Sequence, residues 1–97
     1  MPAYLIVDID VEDPEGFEAY RQEVPRLVEK HGGKYLVRGG EHEVLEGDWV
    51  PTRLVMFQFP DRASVDNLMK DPEYQPLKKL RHETASTNLV VVDGIES

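Results

Sequence analysis

Hydrophobic and polar positions alternate from Ala3 to Val11, with Leu5, Val7, Ile9 and Val11 on one side and Tyr4, Ile6, Asp8 and Asp10 on the other. A period of two predicts a strand. The period changes after Asp13-Pro14: Phe17, Tyr20, Val24, Leu27, Val28 and His31 recur at helical spacing. Asp13 suits the N-cap, Pro14 the first helical position, and Glu15 and Glu18 the positive end of the helix dipole. Pro25 removes one helical hydrogen bond and predicts a kink. Gly32-Gly33 ends the helix, and His31 beside it complements the negative helix end.

Lys34 to Arg38 predicts a second strand, interrupted at Gly39-Gly40 by a bend or bulge. Glu41 to Leu45 continues extended, and Glu46-Gly47-Asp48 turns. Thr52 to Phe59 is the third strand. Pro60-Asp61 opens a short helix with Val65, Leu68 and Met69, and Asp71-Pro72 repeats that start for a helix with Tyr74, Leu77, Leu80 and Thr84. Asn88 to Val92 is the last strand. This order is the split βαβ plan, so the expected fold is α+β, ferredoxin-like βαββαβ, with a four-stranded antiparallel sheet ordered 4-1-3-2 and helices on one face.

The hydrophobic pattern also predicts a partner. Leu54, Val55, Met56, Phe57 and Phe59 leave only Gln58 polar inside the third strand, and Leu89-Val90-Val91-Val92 is apolar throughout. A sheet with one wet face should alternate. The helices cover one face, so a second copy is expected on the other, giving a homodimer through the sheet face that approximates a dimeric α/β barrel. Burying about 600 Å² of apolar area there would contribute on the order of 15 kcal/mol before association costs. A cavity between or beside such sheets is the natural place for a small-molecule ligand.

At 97 residues the chain is one domain, 1–97, and its 40% hydrophobic and 31% charged content argues against a membrane protein and against disorder. The 11 basic and 19 acidic residues sum to −8, which predicts neither a nucleic-acid nor a membrane partner. There is no cysteine, and Met1-Pro2-Ala3-Tyr4 lacks the character of a secretory leader, so a cytoplasmic location is expected.

Several segments carry a resemblance. Ala3-Tyr4-Leu5-Ile6, Tyr35-Leu36-Val37-Arg38-Gly39-Gly40 and Val44-Leu45-Glu46-Gly47-Asp48-Trp49 resemble the 1330 family of domains of unknown function, as do Phe59-Pro60, Pro72-Glu73-Tyr74-Gln75 and Leu80-Arg81. The likeness spans residues 3 to 94. It implies the dimeric α+β barrel superfamily, whose members include cofactor-free monooxygenases of antibiotic biosynthesis, muconolactone isomerase-like proteins and haem-using chlorite dismutases. The family itself supplies no settled catalytic residues.

The candidate chemistry is therefore read from the residues. Asp8-x-Asp10-x-Glu12 puts carboxylates on one strand face; an EF-hand is excluded because Asp13 and Ala19 stand where it needs Gly and Glu. Such a run is more often a solvated strand end, with Asp8 the deepest of the three. Arg38, before two glycines, is a candidate fork for a carboxylate substrate or for Asp8 itself, against a plain ion pair at the sheet end. His42, between Glu41 and Glu43, is the histidine best placed for general-base work, although an exposed strand histidine is the commoner case. Trp49 is a lid or an interface anchor, Tyr74 a core residue or a phenol donor, and Gln58 a ligand contact. His82, among Lys78, Lys79 and Arg81, is solvated, and no histidine pair has metal-site spacing.

The expected function is a small cofactor-free enzyme of proton transfer or oxygenation on a small anionic or enolisable molecule. Arg38 would orient or polarise it, Asp8 or His42 would move a proton, and Trp49 and Tyr74 would wall the site. A non-catalytic ligand-binding or sensing dimer and a purely structural dimer are the alternatives. A water-poor cavity beside Arg38 separates the first two from the third.

Overall fold

The computed structural model describes residues 1–96. The alternating N-terminal segment forms β1 (Ala3–Val11), which buries Ala3, Leu5, Val7 and Ile9 on one face. The chain then enters α1 (Pro14–Lys30) under a cap in which the Asp13 carboxylate accepts the Gly16 N–H at 3.1 Å. Phe17, Val24, Leu27 and Val28 are its buried stripe, and it continues as one helix through Pro25. Gly32 ends it at φ 80°, in the left-handed region where a side chain would be strained.

β2 (Lys34–Arg38), β3 (Leu54–Phe59), α2 (Arg62–Lys70), α3 (Gln75–Thr84) and β4 (Ala85–Asp93) complete the chain. The sheet order is β2-β3-β1-β4 with every neighbouring pair antiparallel, as the ferredoxin-like expectation requires. The core lies between the helices and one sheet face, with Leu27 and Phe59 fully enclosed in it. No helix is long and apolar enough to cross a membrane, among the described residues.

Four assignments differ from expectation. Glu41–Leu45 is not a strand: Gly39, at φ 68°, gives its N–H to the Leu54 carbonyl at 2.8 Å and turns the chain out of the sheet into an irregular connection. The third strand accordingly starts at Leu54 rather than Thr52. β4 begins at Ala85, because Ser86 and Asn88 pair opposite Asp10 and Asp8 and a polar register hides that end of the strand. The last helix starts at Gln75 rather than Pro72. Asp71–Tyr74 is a turn, with the Tyr74 N–H on the Asp71 carbonyl at 2.9 Å, and Pro76 then fits the first helical turn.

Asp71 shows why that turn is fixed. One carboxylate oxygen receives Lys30 Nζ and His31 Nε2, each at 2.8 Å, while the other accepts the Glu73 N–H at 2.9 Å. His31 thus serves this contact as well as ending its helix. The hydrogen bonds from Lys30, His31 and Glu73 hold the carboxyl well below the ordinary carboxylate range. The folded state therefore binds fewer protons than the unfolded chain, and the stabilisation is complete above the ordinary value of 3.8 and is lost as pH falls through the lower folded value.

The outer face of the sheet is apolar at its centre. Val37, Met56, Ile6 and Val90 stand opposite one another in a row across all four strands. Val90 is 59% exposed and Val92 47%.

Replacing Asp71 by Asn is expected to lower the thermal midpoint by roughly 5 °C at neutral pH. The wild-type midpoint should fall more steeply than that of the variant below about pH 4, measured by circular dichroism melts across the acid range.

Candidate functional site

A cavity of about 580 Å³ lies between α1 and the inner sheet face. Val7, Ile9, Val55 and Phe57 line it from the sheet, and Phe17 and Val24 from the helix. The rings of Phe17 and Tyr20 meet at 4.9 Å, and those of Tyr35 and Phe57 at 4.5 Å. The walls are mostly apolar, so each polar group that reaches the space carries weight.

Arg38 enters this cavity because β2 is irregular. Tyr35 stands opposite Phe57, yet Val37 stands opposite Met56, so Leu36 is an extra residue in the strand. The bulge reverses the alternation, sending Val37 to the outer row and Arg38 opposite Val55, to the inner side. The Arg38 guanidinium lies 3.5 Å from the centre of the Tyr35 ring, a cation–π contact. Burial raises the Tyr35 pKa, and the adjacent Arg38 opposes that rise. Arg53 stands beside them, its guanidinium packed so close over Gly39 that a Cβ there would come within 2.6 Å of Cζ. Both arginines are exposed and mark the cavity's edge.

On the β4 side stands Arg81, only 3% exposed. One terminal nitrogen donates to Thr87 Oγ1, while Nε has no hydrogen-bond partner among the described residues. Tyr74, also buried, carries its hydroxyl 3.3 Å from that of Tyr20. Burial and the neighbouring Tyr74 push the Tyr20 hydroxyl far above its ordinary pKa, so it stays protonated, and Arg81 partly opposes that shift.

The expected site residues divide between two faces. Arg38 and Tyr74 line the cavity, with Tyr74 both packing in the core and presenting its phenol. Asp8 lies on the outer face, where its oxygens accept Trp49 Nε1–H at 3.0 Å and the Thr52 N–H at 2.9 Å. No Asp8–Arg38 pair forms, because the sheet separates them. The Trp49 bond, offset by partial desolvation and aided by Thr52, Arg53 and the nearby His42, holds the Asp8 pKa below its ordinary value. Gln58 stands opposite Tyr4 and Lys34 on the outer face as well. His42 lies in the 39–53 connection with Nε2 2.9 Å from the Pro51 carbonyl, beside a shallow depression shared with Glu41, Glu43 and Arg53.

Tyr20, Tyr35, Arg53 and Arg81 were not among the expected site residues. Arg81 carried a usable signal: it falls on the helical stripe of Tyr74, Leu77 and Thr84, where a charged side chain is out of place. Tyr20 likewise sits on the buried stripe of α1 with a hydroxyl that needs a partner.

This architecture is that of ferredoxin-like βαββαβ proteins. Residues 2–95 match the family described as Domain of unknown function (DUF1330), and the chain belongs to that family. A crystal structure of a protein of unknown function from Rhodopseudomonas palustris superposes with TM-score 0.78 at 19% identity, over 99% of this chain and 84% of that one. A dimeric ferredoxin-like protein of unknown function from Jannaschia sp. CCS1 gives 0.70 at 12% identity, over 97% and 100%. SnoaB, a cofactor-independent oxygenase from Streptomyces nogalater, gives 0.65 at 9% identity, over 99% and 95%. No curated protein matches the chain significantly.

Protonating Asp8 should release the indole of Trp49, the single tryptophan. Its emission is expected to change with a midpoint below the ordinary aspartate value of 3.8. In Asp8→Ala the emission should stay constant across that acid range, as a fluorescence titration would show.

Proposed function

We propose that this protein is a homodimer whose chains each bind a small molecule with an apolar body in the cavity between α1 and the sheet. The observation that carries this reading is an unfilled space of about 580 Å³ with a mostly apolar lining and a few convergent polar groups. Small-ligand sites commonly span roughly 300–1,000 Å³. The residues 1–97 act as one domain in this reading, and a chain without cysteine suits a cytoplasmic setting.

Binding without catalysis is favoured by where the proton carriers lie. Asp8 and His42 are outside the cavity. Glu18, at its lining, is held by Arg21 at 2.9 Å and by Gln22 at 3.2 Å, and both hydrogen bonds lower its pKa, which makes it a poor base. A second reading, cofactor-free chemistry on an anionic or enolisable molecule, is supported by the arginines and tyrosine hydroxyls at the cavity, which would stabilise a developing oxyanion. The likeness to the Streptomyces nogalater oxygenase supports it at the level of fold analogy alone.

The proposed dimer pairs two outer sheet faces. The four-strand apolar row supports it, as does the dimeric state of the Jannaschia protein. Trp49 at 61% exposed and Val50 at 70% lie on the projecting 39–53 connection, where a second copy would cover them.

Sedimentation at micromolar concentration should give a dimer for the wild type and a monomer for Val90→Glu; a wild type of 11.1 kDa would refute the pairing. Val24→Phe, which fills the cavity, is expected to weaken the binding of toluene or indole by about tenfold or more, read by calorimetry, while the variant still melts cooperatively. Failure of the wild type to bind any apolar probe would refute the cavity reading.

A further inference from the structure

We infer that Arg81, together with the hydroxyls of Tyr20 and Tyr74, is the anion-binding end of the cavity, and that the ligand is a monocarboxylate with an apolar body. This inference rests on the reading of the cavity as a ligand site.

An arginine offers five N–H donors and is charged at any physiological pH. Arg81 is 3% exposed, yet its side chain makes a hydrogen bond only to Thr87, and its Nε–H meets no acceptor, among the described residues. The ion pairs lie elsewhere: Arg21, Arg26, Lys30, His31 and Arg62 take the carboxylates, and among the described residues none within 4.0 Å belongs to Arg81. A chain with 19 acidic and 11 basic residues does not lack carboxylates for this purpose. Burying a guanidinium without a counter-ion is costly, and a site that tolerates the cost is one in which an anion supplies the missing charge.

The surroundings set the class of that anion. Where two hydroxyls lie 3.3 Å apart, one donates to the other and a single O–H remains free to donate outward. Tyr20 is near enough to Arg81 for the guanidinium to act on its ionisation, and Tyr20, Tyr74 and Arg81 all line the same cavity. A free hydroxyl and a planar guanidinium together match the two oxygens of a carboxylate. One buried cation balances one negative charge, whereas a phosphate dianion would leave a charge uncompensated among apolar walls. Arg38 and Arg53 differ in kind: they are exposed, and water and salt already neutralise them.

The test compares benzoate with benzamide, and phenylacetate with phenylacetamide, by calorimetry on the full chain. The wild type should prefer each carboxylate over its amide by about tenfold or more. Arg81→Met should abolish that preference while keeping the affinity for toluene, and its urea midpoint should match or exceed that of the wild type. Tyr20→Phe should reduce the preference severalfold, and it keeps the inference testable if Arg81→Met fails to fold. In ¹⁵N-labelled protein the Arg81 Nε–H signal, assigned by its loss in Arg81→Lys, should move on adding benzoate and not benzamide. Toluene binding without a carboxylate preference, or a preference that survives in Arg81→Met, overturns the inference and leaves the cavity reading standing. If neither toluene nor any carboxylate binds, the cavity reading fails and this inference fails with it.

Discussion

One extra residue in a five-residue strand decides which face of the sheet carries Arg38. Leu36 breaks the pairing of β2 with β3, so Val37 joins the outer apolar row and Arg38 turns inward. In a regular strand the two would exchange faces, since side-chain direction has a period of two. The outer face would then hold a cation amid Met56, Ile6 and Val90, and the cavity edge would keep Arg53 but lose Arg38. With the bulge, the carboxylates of Asp8 and Asp10 stand outside and the cations of Arg38 and Arg81 stand on the helix side.

The cavity also depends on how α1 is fastened. At its start, the Thr84 carbonyl accepts the N–H groups of Glu12 and Asp13 at 2.8 and 3.0 Å. At its end, Lys30 and His31 are held by Asp71. Both anchors come from the α2–α3 segment, one from the C-terminal end of α3 and the other from the turn that leads into it. A helix held at both ends can span a space without collapsing into it; of its buried stripe, Phe17, Val24 and Val28 line that space while Leu27 is fully enclosed in the core. The cavity is therefore preformed, which would lower the ordering cost of taking up the proposed ligand.

The element order was legible because the periods were clear: alternation in β1, helical spacing from Phe17 to Val28, and Asp-Pro and Gly-Gly boundaries. The sheet order followed from connection rules. The site was half legible. Arg38 and Tyr74 do reach a cavity, but their expected companions Asp8, Trp49 and Gln58 lie across the sheet. Strand parity could be counted along each segment, while a bulge in the interior of β2 left no residue signature: Leu36 is neither Gly nor Pro. Of the two glycines expected to bend or bulge the strand, Gly39 supplies the bend, where the chain leaves the sheet, and the bulge lies earlier. Arg81 was hidden for another reason. Its neighbours Lys78, Lys79 and His82 made it look like part of a solvated basic cluster at a helix C-terminus, and only its angular position on the helix distinguishes it.

A net charge of −8 and the proposed anion site inside the same protein are compatible because they act over different distances. The overall field is screened within about 8 Å at physiological ionic strength, so it disfavours the approach of polyanions far more than that of a single charge. At the cavity edge, Arg38 and Arg53 reverse the sign locally. Inside, screening is weak, and an unpaired guanidinium attracts a counter-charge more strongly than any surface lysine does. The apolar walls then add binding free energy in proportion to the hydrocarbon surface they cover. A multiply charged metabolite meets repulsion outside and an unfavourable charge balance inside, and a neutral hydrocarbon leaves Arg81 unpaired. The proposed site would therefore select for one negative charge on an apolar body, and each of its elements is set by the positions of a few side chains around one bulged strand and one helix fastened at both ends.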